Sequence, residues 1–132
     1  MTVVLPTTLS LAAAAVLVNL WLGMRISRLR MSEKVLHGDG GNPLIGRRMR
    51  AQLNFAENMP LILLLFAAVE LAGRGERWLA ILGTVLILAR VAHAHGMDAD
   101  YPHKARMAGV TITMLTGLGL AVYAVLIAAR VI

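Results

Sequence analysis

VVLPTTLSLAAAAVLVNLWLGM, residues Val3 to Met24, carries no charged side chain. As an α-helix rising 1.5 Å per residue it spans roughly 33 Å, enough to cross the hydrocarbon core of a bilayer. No basic segment precedes it, and Arg25, Arg28 and Arg30 follow it. That is the reverse of a cleaved signal, so a retained helix is expected. Three further apolar runs follow, from about Ile45 to Ala72, from about Trp78 to Ala94 and from about Ala105 to Ile132. The segment His37-Gly38-Asp39-Gly40-Gly41-Asn42-Pro43 is a strong breaker between the first two. Arg74-Gly75-Glu76 forms a tight turn, and Gly96 to His103 joins the last two runs, with Pro102 near the next helix start. No two-residue alternation suggests strands. The expected fold is all-α, an integral membrane four-helix bundle formed by residues 1–132 as one domain.

Composition supports that reading. Of the 132 residues, 58% are hydrophobic and 15% charged, against about 45–50% and about 25% in soluble domains. A domain this small cannot bury so much apolar surface within itself. Lipid is the expected solvent for the surplus. The absence of cysteine excludes disulfides, thiolate zinc sites and a cysteine nucleophile, so any thiol chemistry must come with a substrate. The net charge of +6 would suggest nucleic acid in a soluble protein. Here the basic residues flank apolar runs and no binding module accompanies them, so no nucleic-acid partner is expected. Arg25, Arg28, Arg30, Lys34, Arg47, Arg48 and Arg50 cluster around the first loop, and Lys104 and Arg106 around the third. The positive-inside rule places those loops in the cytoplasm and both termini outside it.

The chemistry concentrates on the second helix. Arg47, Arg50, Asn54, Glu57 and Asn58 follow three- and four-residue steps and share a face. Charged and amide groups at that depth cost about 2.5–3.5 kcal/mol each in lipid, so the stripe should face other helices or a wet cavity. One outcome is a structural network in which an arginine neutralises Glu57; the other is a ligand site. Arg90 and His93, three residues apart, and Arg106 fall toward the same membrane face, so five or more basic groups are expected to converge on one pocket suited to an anion. Arg25, Lys34 and Arg48 read instead as snorkelling to lipid phosphates. His93, His95, Asp98, Asp100 and His103 resemble a metal-ligand set, but a continuous helix points the first two histidines about 200° apart, and no metal is expected. The glycines around Asp39 lack the Gly-Lys-Ser/Thr ending of a phosphate loop and read as a turn. Gly109, Thr113, Gly117 and Ala121 form a small-residue seam for close helix packing, within the chain or between copies. The eight methionines read as lipid-facing or core filler.

The segment RRMRAQLNFAENMP (Arg47–Pro60) resembles the signature of the MAPEG family, membrane-associated proteins in eicosanoid and glutathione metabolism. Its core, Arg-Ala-Gln-x-Asn-x-x-Glu-Asn-x-Pro, puts an unusual density of charge and amide into an apolar helix. A second likeness lies in Ala89-Arg90-Val91-Ala92-His93-Ala94-His95-Gly96, followed by Arg106-Met107-Ala108-Gly109. The resemblance covers essentially the whole chain and fits a short bacterial-type member in the inner membrane.

That resemblance implies a homotrimer with sites between subunits that bind glutathione as co-substrate. Characterised members conjugate it to lipophilic electrophiles or reduce lipid hydroperoxides. Carried over by position, Arg50, Asn54 and Glu57 hold the peptide, Gln52 and Asn58 are further candidates, and Arg106 stabilises the thiolate, with Lys104 a competitor; His93 is counted among the glutathione-binding residues as well. Arg90 is structural or ligand-contacting, and Arg30 or Arg28 matches an arginine before the first loop. Where several members have tyrosines near the end of the third helix, this chain has His93 and Met97, so those tyrosine contacts do not transfer. The resulting expectation is a glutathione transferase-like protein in which arginines bind the carboxylates and Glu57 accepts from the ligand ammonium. The alternative is a non-catalytic lipid- or fatty-acid-binding scaffold of the same fold. A proton-coupled multidrug transporter is a third class, but it needs an acid deep in the first helix, and Val3–Met24 has none.

Overall fold

The computed structural model describes residues 4–132; Val3, where the first apolar run begins, lies outside them. Four α-helices follow in order: α1 (Pro6–Ser32), α2 (Pro43–Val69), α3 (Arg77–Gly96) and α4 (Lys104–Ala128). A π-helical turn, Glu70–Arg74, extends α2. All four are long and apolar enough to cross a membrane, and the chain is a multi-pass membrane protein with a four-helix bundle fold.

Local chemistry sets each helix end. Pro43 occupies the first turn of α2, where its missing N–H costs nothing. Asn42 caps the same turn, its side-chain oxygen accepting from the N–H groups of Leu44 (2.9 Å) and Ile45 (3.4 Å). His103 caps α4 by accepting from the Ala105 N–H at 3.1 Å. The start of α1 has no cap of its own. Glu70 supplies one from the far end of α2, accepting from the backbone N–H groups of Thr7 and Thr8, each at 2.9 Å. A carboxylate at a helix N-terminus also meets the positive end of its dipole. The turn after α2 closes through Gly73 at φ +74°, a conformation glycine adopts without penalty. α1 runs on past Met24 to Ser32, so Arg25, Arg28 and Arg30 are helical.

The Glu70 contact places the start of α1 beside the end of α2. Contacts of Arg25 and Arg48 with Asp98 place the end of α1, the start of α2 and the end of α3 together. The helices therefore run up and down. The α1–α2 and α3–α4 connections share one end, called here the basic end, and the α2–α3 turn lies at the other.

The core is a seam of Leu11, Ala15, Val18 and Leu22 on α1 with Phe55, Met59, Ile62 and Phe66 on α2, closed by Leu79 and Leu86 of α3 and Leu120 of α4. The three- and four-residue steps place each set on one helix face. The small-residue seam of α4 serves this packing within the chain. A Cβ at Gly109 would stand 2.6 Å from the Ala89 carbonyl oxygen and 2.5 Å from the His93 Cβ, and one at Gly117 would stand 3.6 Å from Ile62. Thr113 and Thr116 are buried between them. The remaining apolar side chains, including Leu9, Leu17, Leu20, Leu64, Leu88, Leu115 and Val125, form an exposed belt. The methionines divide between the two environments, with Met59 and Met97 buried and Met24 and Met114 exposed.

Candidate functional site

α2 is the spine of the site, and its two flanks carry different groups. Gln52 and Asn54 are two residues apart and so point about 200° from one another. The α4-facing flank holds Arg47, Asn54 and Asn58; the α1-facing flank holds Met49, Gln52 and Ala56. Arg50 and Glu57 lie on the exposed side of the helix.

On the α4-facing flank, Arg90 of α3 is 2% exposed. Its Nη1 donates to the Thr113 hydroxyl (3.1 Å) and its Nη2 to the Asn54 side-chain oxygen (2.7 Å), while its guanidinium lies 5.8 Å from the centre of the Phe55 ring. Thr113 in turn donates to the Gly109 carbonyl at 2.7 Å. Arg90 thus fixes the Asn54 oxygen inward and leaves the amide nitrogen on the flank. The nitrogen of Asn58 donates to the Asn54 backbone carbonyl at 2.8 Å. His93, also 2% exposed, is packed against Gly109, and its buried Nδ1 has no partner. Toward the basic end, Arg47 and Arg106 line one cavity of about 440 Å³ with Asp100, Tyr101 and Pro102. Lys104 does not line it. The Nε of Arg47 is buried there without a partner.

On the α1-facing flank a larger cavity of about 810 Å³ contains Arg30, Asp39, Arg50 and Gln52, with Asn19, Gly23 and Ser27 of α1. Gly23 allows the close approach; a Cβ there would touch the Gln52 side-chain nitrogen at 3.4 Å. Arg30 Nε donates to the Gly38 carbonyl (2.9 Å), and its Nη2 lies 3.3 Å from Met49 Sδ. Of the two arginines that compete for this position, Arg30 lines the cavity and Arg28 is exposed outside it.

Convergence of the basic groups on one pocket is therefore not what a single chain builds. Arg47 and Arg106 share one cavity, Arg30 and Arg50 another, and Arg90 is buried between helices. Nor is Glu57 neutralised by an arginine: it is exposed, and among the described residues the ion pairs are Arg25–Asp98 and Arg48–Asp98.

That pairing corrects the reading of Arg25 and Arg48 as lipid-phosphate ligands. Both donate to Asp98, Arg48 at 3.0 Å. Arg25 also donates to the Ala94 carbonyl (3.2 Å) and Arg48 to the Arg25 carbonyl (3.1 Å). Burial alone would raise the Asp98 carboxyl, but hydrogen bonds from Arg48 and the charge of Arg25 outweigh it and hold it below the usual carboxylate range. The signal for Asp98 in the sequence was an acid just past α3 in a strongly basic neighbourhood. The signal for Thr113 as the Arg90 partner was slighter, a hydroxyl within the small-residue seam.

The histidines separate as their spacing predicts. His93 faces inward, whereas His95 is exposed, its Nδ1 lying 3.0 Å from the Val91 carbonyl and its ring 5.3 Å from that of Trp21. Among the described residues no three of His, Asp and Glu gather as metal ligands. Two apolar grooves lie nearer the other end. One of about 460 Å³ between α1 and α3 is lined by Leu11, Ala14, Gly83 and Ile87; one of about 620 Å³ between α3 and α4 is lined by Trp78, Leu82, Ile112 and Tyr123.

The inner membrane protein YecN of Escherichia coli strain K12 is 35% identical over 72 residues, which are 54% of this chain and 54% of that protein. The YecN protein of Escherichia coli O6:H1 strain CFT073 matches to the same extent. The chain thus spans about half the length of the curated relatives it matches. The model of the MAPEG family covers far more, residues 8–126, taking in all of α2 and α3 and nearly all of α1 and α4, and on that match the chain belongs to the MAPEG family.

Proposed function

We propose that this protein is a membrane-embedded glutathione transferase-like enzyme that activates the glutathione thiol for attack on lipophilic electrophiles or lipid hydroperoxides. The observation that carries the reading is the set of charged groups left open on α2 and its neighbours. Arg50, Glu57 and Arg106 have no hydrogen-bond or ion-pair partner among the described residues, although charge at membrane depth is costly unless something answers it. Glutathione, with two carboxylates, an ammonium and a thiol, is a ligand of matching charge.

The two flanks of α2 also call for more than one copy. Arg30 and Gln52 cannot reach a ligand held by Asn54 and Arg106 of the same chain. In a homotrimer the α1-facing flank of one subunit meets the α4-facing flank of the next, and each interface then assembles Asn54, Glu57 and Arg106 from one side and Arg30, Arg50 and Gln52 from the other. Both termini would lie outside the cytoplasm, since the basic end follows the positive-inside rule.

The chemistry is electrostatic. A free thiol of pKa about 8.5 is little ionised at neutral pH, and lowering that value by two units takes about 2.7 kcal/mol of preferential thiolate stabilisation. A guanidinium at the sulfur supplies it in a partly dry site, and we assign that role to Arg106, the position the family resemblance implies. The sulfur lone pair then forms the bond to the electrophilic carbon or peroxide oxygen, and the leaving group departs with the electrons of the broken bond. The apolar grooves give a lipophilic partner room beside the bundle.

Glutathione binding to the purified protein, followed by the thiolate absorbance of the bound ligand against pH, tests the proposal. A bound thiol that ionises as it does in water removes it. A second reading, a lipid- or fatty-acid-binding scaffold, is favoured by His93, which is sealed against Gly109 where other members offer a tyrosine. Copurified lipid with no glutathione binding selects that reading.

A further inference from the structure

The glycine-rich turn before α2 does more than reverse the chain. Arg30 Nε donates to the Gly38 carbonyl, and Gly40 and Gly41 take φ of +57° and +77°. Asp39 stands between Gly38 and Gly40. Its Oδ1 accepts from the Gly41 N–H at 3.0 Å, and its carbonyl accepts from the N–H of Asn42 at 2.9 Å, the residue that caps α2. The other carboxylate oxygen, Oδ2, has no partner. It lies over the first turn of α2 at Gly46, 3.5 Å from where a Cβ would stand, on the wall of the cavity that also holds Arg30 and Arg50. The turn therefore holds one rigid, half-engaged carboxylate beside two guanidinium groups with which it forms no ion pair.

We propose that Asp39 recognises the ammonium group of the ligand, and that the cavity it shares with Arg30 and Arg50 takes a zwitterionic α-amino-carboxylate head, the γ-glutamyl end of glutathione. This rests on the glutathione reading above and assigns one end of the ligand to one cavity. Arginines alone would accept any dicarboxylate. A fixed carboxylate on the wall of the same cavity selects a ligand carrying a cation next to one of its anions, since a like-charged or neutral group there would leave Asp39 unanswered. Glu57, the other acid near the stripe, does not line this cavity and is left to accept from a peptide N–H of the ligand.

The test compares glutathione with its des-amino analogue, in which a glutaryl group replaces γ-glutamyl. Both are titrated by calorimetry against the purified full-length protein, Asp39→Asn and Glu57→Gln. Asparagine keeps the oxygen that accepts from Gly41, so the turn survives while the charge is removed. The native protein is expected to prefer glutathione over the analogue by roughly tenfold or more, the size of a charge-assisted hydrogen bond. Asp39→Asn is expected to abolish that preference and Glu57→Gln to retain it. Equal weakening of both ligands by Asp39→Asn, or loss of the preference in Glu57→Gln alone, overturns the assignment while leaving the glutathione reading in place. A native protein that binds neither ligand overturns both.

Discussion

Two groups of charges, one at the basic end and one on α2 and the start of α4, behave in opposite ways. Arg25 and Arg48 close on Asp98 and on backbone carbonyls, so each cation is answered inside the chain. Arg50, Glu57 and Arg106 sit on the same or neighbouring helices and find nothing within it. The first group ties α1, α2 and the end of α3 together and is spent on the fold. The second is costly to hold within a membrane without a partner, and the proposed function supplies that partner from outside the chain. A charge count does not separate the two; partnership does.

The sharpest way to break this contrast is to remove an open charge. Arg106→Ala should slow conjugation about 100-fold, equivalent to about 2.7 kcal/mol of lost thiolate stabilisation, with the melting temperature unchanged. A steady-state rate assay and a thermal melt of the same preparation check both halves. If the melt falls as far as the rate, Arg106 belongs with the closed group.

Removing a closed charge should do the reverse. Asp98→Asn leaves two guanidinium groups facing each other and should cost about 1–2 kcal/mol of stability, less than a fully buried pair because the carboxylate is partly exposed. Glutathione affinity should stay within about twofold, well under the 1.4 kcal/mol that a tenfold change represents. The same pairing gives a pH signature. The folded Asp98 carboxyl titrates below its ordinary value of 3.8. Its contribution is therefore complete above that value and is lost as the pH falls through the lower folded value. Thermal melts should be insensitive to Asp98 ionisation from neutrality down to about pH 4 and decline below it, and Asp98→Asn should lack that part of the decline.

The smallest effect is expected at the opposite end. Glu70→Gln keeps one acceptor oxygen in place of the two that serve Thr7 and Thr8 and loses the charge facing the α1 dipole, worth about 0.3–1 kcal/mol. Hydrogen exchange at those two amides should quicken while conjugation stays the same. Faster exchange along the whole of α1 would mean that the cap holds the helix rather than its first turn.

Much of this was legible in the residues before any fold was known. The charge-free run through Met24, the three later runs and the breakers at Gly38–Pro43 and Gly75 are local signals, and local signals survive folding. The stripe on α2 was legible because helical spacing alone puts Arg50, Asn54 and Glu57 near one another, and the opposition of His93 and His95 follows from the same geometry. Three features were not. Asp98 stood out only as an acid in a basic stretch, and nothing local said that its partners would be Arg25 and Arg48, residues far from it in the chain. The seam at Gly109 could have served either a neighbouring copy or this chain, and only the proximity of Ala89 and His93 decides for the chain. Asp39 read as a turn residue, because nothing local shows which cavity a turn overhangs.

The sequence by itself determined the solvent, the number of spans and which helix carries the polar stripe, since hydropathy and a 3.6-residue period need no knowledge of neighbours. The tertiary structure alone decided which charges are answered and which stay open, and that the site is split across two flanks of α2. Pairing depends on where distant helices place their ends, and the energy of a buried charge is set by what stands next to it in space rather than along the chain.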